Sequence, residues 1–131
     1  MGTAMSKKKV FISYTHDDDT WAKAFADALA KHGLSLWFDQ WEIKPGEKIS
    51  EAIDQALRDS ESVVFLLRPE SVDSPNLFFK LGAAIAMRKK IIPIISADFE
   101  RSKIPIPLLQ MRYLVRGTPD QTAEEVAKAV A

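Results

Sequence analysis

Val63-Val64-Phe65-Leu66-Leu67 is an unbroken apolar run, β-branched at its start and bounded by Ser62 and Arg68. A strand with one wet face alternates apolar and polar residues, whereas an uninterrupted run suits a strand covered on both faces in a parallel sheet. Ile91-Ile92-Pro93-Ile94-Ile95 repeats the pattern. Its internal proline asks for a place where one amide need not join the ladder, such as a strand end or a bulge. Val10-Phe11-Ile12-Ser13-Tyr14 and Leu34-Ser35-Leu36-Trp37-Phe38 read as two further strands, and residues 111–115 as a weaker fifth.

Helical periodicity fills the intervals. Trp21, Ala24, Phe25, Ala28 and Leu29 recur at helical spacing, Asp19 or Thr20 is positioned to cap the start, and Gly33 falls just past the end. Ile49, Ala52, Ile53, Ala56 and Leu57 mark a second helix. Ser74-Pro75 supplies a cap and a first-turn proline for a third, running through Met87. Thr118-Pro119-Asp120-Gln121 has capping-box spacing ahead of a last helix. This strict alternation predicts right-handed crossovers and an α/β, flavodoxin-like three-layer sandwich: a five-stranded parallel sheet with helices on both faces. Ligands of such sheets bind beyond the carboxyl ends of the strands. The informative loops are therefore residues 15–19, 39–48, 68–76 and 96–110.

The chain of 131 residues is of single-domain size, and folding should bury roughly two thirds of its unfolded surface. Lys plus Arg equals Asp plus Glu at 18 each, so no global field draws the domain to nucleic acid or an anionic membrane, and neutrality favours self-association. There is no cysteine, no apolar run near the roughly 20 residues of a membrane span, and no apolar signal segment, all of which suit the cytoplasm. Residues 1–4 read as a cloning remnant ahead of a start at Met5. Residues 1–8 are accordingly expected to be a tag remnant or disordered N-terminus, and 9–131 the domain.

Motifs separate the families that share this alternation. Receiver domains require an aspartate ending the third strand, where this chain has Leu66-Leu67-Arg68. Flavodoxins require a Ser/Thr/Gly-rich phosphate loop after the first strand, but Thr15-His16-Asp17-Asp18-Asp19 would repel a phosphate. No glycine-rich turn follows any strand, so dinucleotide-fold and Walker loops are missing as well. Val10-Phe11-Ile12-Ser13-Tyr14 with Thr15-His16-Asp17-Asp18 instead resembles the opening box of TIR domains, Phe-Ile-Ser-Tyr-Ser-His-x-Asp. Leu36-Trp37-Phe38-Asp39 resembles their second strand, and the segment from Ile43 to Ile49 with Pro45-Gly46 resembles the loop by which they grip a neighbour. Ser74-Pro75-Asn76-Leu77-Phe78-Phe79-Lys80-Leu81 is similar to the family's Ser-Pro-Trp-Cys-x-x-Glu-Leu helix start, and Ile91-Ile92-Pro93-Ile94 to its fourth strand.

The resemblance is to the bacterial, NAD-cleaving branch. It implies NAD as a substrate, no separate cofactor and no metal, with nicotinamide leaving through a ribosyl cation of the oxocarbenium type. Lys80 occupies the position of the family's catalytic glutamate. Tyr14, Thr15, Trp37, Asp39, Asn76 and Phe79 are implied as NAD contacts. Trp41, Ile43, Lys44, Pro45, Gly46 and Glu47 are implied as the self-association loop. The implied partners are NAD, other TIR domains in head-to-tail contact, and a fused or separate sensor domain, with no nucleic acid or membrane bound by this domain. Lys80 implies a disarmed site. It is either a deliberate glutamate-to-lysine change, the reading that intact-looking Phe78, Phe79, Leu81 and Gly82 favour, or the mark of a natural pseudoenzyme. Glu70 and Glu47 are poorly placed to substitute. The alternatives are a non-catalytic adaptor acting through TIR–TIR contact and, further off, a nucleoside deoxyribosyltransferase-like enzyme.

Other residues have plainer readings. Asp17, Asp18 and Asp19 could hold a hard cation but suit the start of the first helix better. Trp37 within a strand is core more readily than a stacking platform, while Trp41 lies beyond the strand and suits either role. His16 and His32 lack a matching metal set. Arg88-Lys89-Lys90 complements a helix dipole, and Arg68 has no role that the sequence explains.

Overall fold

The computed structural model describes residues 9–15, 18–38, 49–69, 75–104 and 106–130. The strands β1 (Lys9–Ser13), β2 (Ser35–Phe38), β3 (Ser62–Leu67), β4 (Lys90–Ile95) and β5 (Leu114–Val115) form one sheet in the order β2-β1-β3-β4-β5. Every pairing in it is parallel. The helices are α1 (Asp19–Ala30), α2 (Ile49–Asp59), α3 (Pro75–Ala86), a single turn α4 (Ile106–Leu109) and α5 (Pro119–Val130). This is the doubly wound, flavodoxin-like order expected, and the chain reverses its direction of winding between β1 and β3, the place where sheets of this order bind ligands beyond the carboxyl ends of their strands.

The core follows the two-residue period of the strands. Val10, Ile12, Val64 and Leu66 turn to one face and pack with Phe25, Leu29 and Val126 of α1 and α5. Phe11, Val63, Phe65 and Leu67 turn to the other and pack with Leu57, Leu81 and Leu108 of α2, α3 and α4. β3 is buried at every position, the environment its apolar run calls for.

Several boundaries differ from expectation for identifiable reasons. Asp19 and Thr20 do not cap α1 but lie inside it; Asp18 stands at the cap and makes no side-chain capping bond. α3 ends at Ala86 rather than Met87, because Arg88 turns left-handed (φ 57°) and the Arg88 and Lys89 amides bond back to the Ile85 and Ala84 carbonyls. This is a Schellman closure with arginine where glycine is usual. Gly33 takes the left-handed role at the end of α1 as expected (φ 84°). Pro93 lies at neither a strand end nor a bulge, since β3 and β4 stay in continuous register across it. β5 pairs only with Ile94 and Ile95, so the outer side of β4 has no strand partner at the proline. The 3-10 turn Arg101–Lys103 and α4 occupy what reads as plain loop, being too short to show a period.

Arg88, Lys89 and Lys90 lie beyond the last turn of α3. Lys89 Nζ donates to the Arg58 carbonyl in the last turn of α2, and Lys90 Nζ to the Ala129 carbonyl in the last turn of α5. These lysines thus complement the dipoles of two other helices. Gly82 is helical and exposed, and a Cβ there would meet nothing within 4 Å. Glycine inside a helix costs roughly 0.5–1 kcal/mol relative to alanine, and no described neighbour requires it here.

The capping box forms as its spacing implies: the Gln121 amide donates to Thr118 Oγ1 and the Thr118 amide to Gln121 Oε1, each at 3.2 Å. Thr118→Ala is expected to lower stability by about 1 kcal/mol, read from denaturant unfolding with an unchanged slope.

Candidate functional site

α3 begins at the carboxyl edge of the sheet, where the connection from β3 delivers it. Leu77, Leu81 and Ala84, at positions i, i+4 and i+7, turn toward the sheet and are buried. Lys80 is on the same inward side. The residue is 6% exposed, and Nζ donates to Ser13 Oγ at 3.5 Å. Ser13 is the last residue of β1 and itself buried. The ammonium group therefore sits beside the reversal point, on the side of the sheet covered by α2 and α3.

The other residues implicated by resemblance do not all converge on it. Tyr14 is buried in the opposite layer, among the residues under α1 and α5, with its hydroxyl donating to Asp19 Oδ1 at 3.2 Å. Thr15 is half-buried, and its carbonyl accepts the Asp18 amide. Trp37 stacks on Phe11 at mid-strand, ring centroids 4.8 Å apart. It also lines a groove of about 300 Å³ with Lys9, Ser35, Gln55 and Asp59, toward the amino ends of β1 and β2. Phe79 points outward from α3 and is 48% exposed. Asn76 lies in the first turn of α3. Asp39, Trp41, Ile43, Lys44, Pro45, Gly46, Glu47 and residues 1–8 lie outside the described residues.

Sequence reasoning missed an ion pair. Arg116, directly after β5, grips Asp18 with two parallel bonds, 2.8 Å to Oδ1 and 2.5 Å to Oδ2. Its guanidinium carbon lies 4.3 Å above the Trp21 ring, which stacks in turn on Phe25. The pair fastens the short edge strand β5 to the start of α1. The acidic run is thereby divided, since Asp19 bonds Tyr14 and pairs with Lys23 at 2.9 Å. Among the described residues no group of His, Cys, Asp and Glu is arranged to hold a metal. The Asp98 carboxyl is held below its ordinary range, first by the Ser96 hydroxyl, then by its own backbone amide, and least by the Arg68 and Arg116 guanidinium groups.

With the edge of the sheet so arranged, a family model for the TIR domain matches residues 10–130. This chain belongs to the TIR-domain family. The TIR domain is 32% identical over 104 residues to a probable 2′ cyclic ADP-D-ribose synthase of Brachypodium distachyon, covering 78% of this chain and 46% of that protein. It is 28% identical over 89 residues to a 2′ cyclic ADP-D-ribose synthase of Bacteroides thetaiotaomicron, covering 64% of this chain and 31% of the relative. The chain thus spans less than half the length of these curated relatives. A metazoan TIR-STING receptor from C. gigas has the same fold, with a TM-score of 0.76 at 22% identity over 93% of this chain and 40% of its own. The resemblance read from the boxes therefore stands at the level of the TIR family. None of the described helices is long and apolar enough to cross a membrane.

The Asp18 and Arg116 side chains are 4% and 12% exposed, so removing one partner strands a buried charge. Arg116→Ala is expected to cost about 3–5 kcal/mol in chemical denaturation, and the Asp18→Leu/Arg116→Met double replacement much less than the two single changes summed. Equal, additive losses would show that the two groups are not coupled.

Proposed function

We propose that this domain comes from a prokaryotic immune or signalling protein of the cytoplasm, of the antiphage-defence kind. The lineage releases nicotinamide from NAD by hydrolysis or cyclisation when its domains stack head to tail, and Lys80 disarms the site. The single observation behind the disarming is the buried Lys80 ammonium beside Ser13 at the reversal point. The relatives named as 2′ cyclic ADP-D-ribose synthases support the lineage. NAD is the substrate, and neither a separate cofactor nor a metal takes part.

Breaking the bond between nicotinamide and ribose develops positive charge on the ribose and asks for a carboxylate beside it. A carboxylate about 4 Å away at an effective dielectric near 20 attracts that charge by about 4 kcal/mol, and an ammonium repels it by as much. With half of the roughly 8 kcal/mol difference lost to water and rearrangement, the rate still falls about a thousandfold. Lys80→Glu, assayed with NAD under conditions where assembly is verified, is expected to restore nicotinamide release by about that factor. A folded, assembled and silent Lys80→Glu protein sinks the disarmed-enzyme reading.

That silence would favour a second reading, an adaptor that works through TIR–TIR contact alone. The observation in its favour is the same lysine, which the fold accommodates at 6% exposure with a hydroxyl partner. In both readings the loop of residues 39–48 packs onto the next subunit, a heterologous contact that builds open filaments. Pro45→His or Gly46→Val is therefore expected to abolish growth in light scattering while the circular dichroism spectrum is unchanged; undiminished assembly counts against the loop.

A further inference from the structure

β2 is the outer strand of the sheet beside β1, and α2 packs on the face to which Phe11 turns. The two-residue period puts Lys9 on that face with Phe11, and the register partners of these two, Ser35 and Trp37, stand beside them. Phe11 stacks on the Trp37 indole, which is still half-exposed and lines the groove between β2 and α2. On the helix side the groove is lined by Ala52 and Ala56, one turn apart, where larger side chains would close the gap. The space left open is about 300 Å³, at the lower end of the range for sites that take a small molecule.

The rim carries both signs of charge. Lys9 and Asp59 are exposed, and among the described residues they form no ion pair with one another. Asp59 Oδ1 accepts a bond from Gln55 Nε2 at 3.0 Å, which leaves Gln55 Oε1 and Asp59 Oδ2 as acceptors on the same rim. We infer that this groove binds a free aromatic α-amino acid, with its ring against the Trp37 indole and the Ala52 and Ala56 methyl groups, its carboxylate toward Lys9 and its ammonium toward Asp59 and Gln55. The ring gains attraction from the indole beyond the area it buries, which an aliphatic side chain does not. Charge selects the zwitterion: an anion alone is repelled by Asp59 and a cation alone by Lys9, whereas a ligand with both signs turns each repulsion into an attraction. A residue at a peptide end keeps only one of the two charges.

Exposure sets the strength. The rim charges are screened by water and salt, so they orient the ligand more than they tighten it. A ligand of about a dozen non-hydrogen atoms in an open groove is expected to have a Kd on the order of 1 mM. The groove lies toward the amino ends of β1 and β2, away from Ser13 at the other end of β1 and the Lys80 that bonds it. It therefore stands or falls independently of any NAD chemistry.

Phenylalanine is the test ligand, followed by nuclear magnetic resonance of the isotopically labelled chain. The Trp37 indole N–H resonance is expected to shift saturably with that Kd, while the resonance of Trp21, on the other face of the sheet, stays in place. Phenylalaninamide, which lacks the carboxylate, and N-acetylphenylalanine, which lacks the ammonium, should each bind about threefold more weakly. Lys9→Gln should erase the difference between phenylalanine and its amide, and Asp59→Asn the difference between phenylalanine and its N-acetyl form. Ala52→Leu, at a half-exposed position, should fill the gap and abolish binding while circular dichroism remains native. No Trp37 shift at about 20 mM phenylalanine, well above that Kd, overturns the proposal. So does a shift that Ala52→Leu leaves in place, or equal binding of phenylalanine, its amide and p-cresol, which assigns the groove to uncharged rings.

Discussion

Covering a parallel sheet on both faces is the constraint from which the rest of this structure follows. β3 lies in the middle with every side chain buried, and right-handed crossovers must carry the chain over one face or the other between strands. That places α1 and α5 on one side and α2 and α3 on the other, and it gathers the segments that follow the strands along one edge. α3 starts at this edge, so the side it turns toward the sheet decides which side chains stand beside the winding reversal. Leu77, Leu81 and Ala84 supply the apolar contact, and the interleaved position carries Lys80 to Ser13. A buried amine beside the winding reversal is thus a product of helix register as much as of residue choice.

The same edge carries other charges held by specific partners. Asp18 is gripped by Arg116, Asp19 is shared between Tyr14 and Lys23, and Asp98 lies in the fields of Arg68 and Arg116. The Asp18–Arg116 bonds tie the start of α1 to the end of β5, which the sheet's own hydrogen bonds do not join. They also divide the acidic run after β1, Asp18 turning to Arg116 and Asp19 to Tyr14 and Lys23.

Signals confined to a few neighbouring residues were legible in the sequence. Apolar runs located the strands, Thr118 and Gln121 announced their capping box, and Gly33 marked the end of α1, because each depends on contacts within one turn or along one strand. β5 was overdrawn because only Leu114 and Val115 find a partner strand. α4 is one turn long and leaves no period to read. The Asp18–Arg116 pair joins residues 98 apart, and no local pattern couples them. Lys80 was singled out only through likeness to the helix start of other TIR domains; its approach to Ser13, 67 residues away, belongs to the fold. The strand alternation that sends Ser13 and Tyr14 to opposite layers places the Tyr14 side chain away from Lys80, a consequence of the two-residue period that likeness to a sequence box does not carry.

The basic tripeptide that closes α3 links three helices at once. Arg88 ends its own helix by taking a backbone shape that rarely suits a side chain, while Lys89 and Lys90 reach the final turns of α2 and α5 on opposite sides of the sheet. The amino ends of the strands are thereby riveted across all three layers. Two surface side chains thus join, at the base of the sheet, layers that the strands' own hydrogen bonds do not connect.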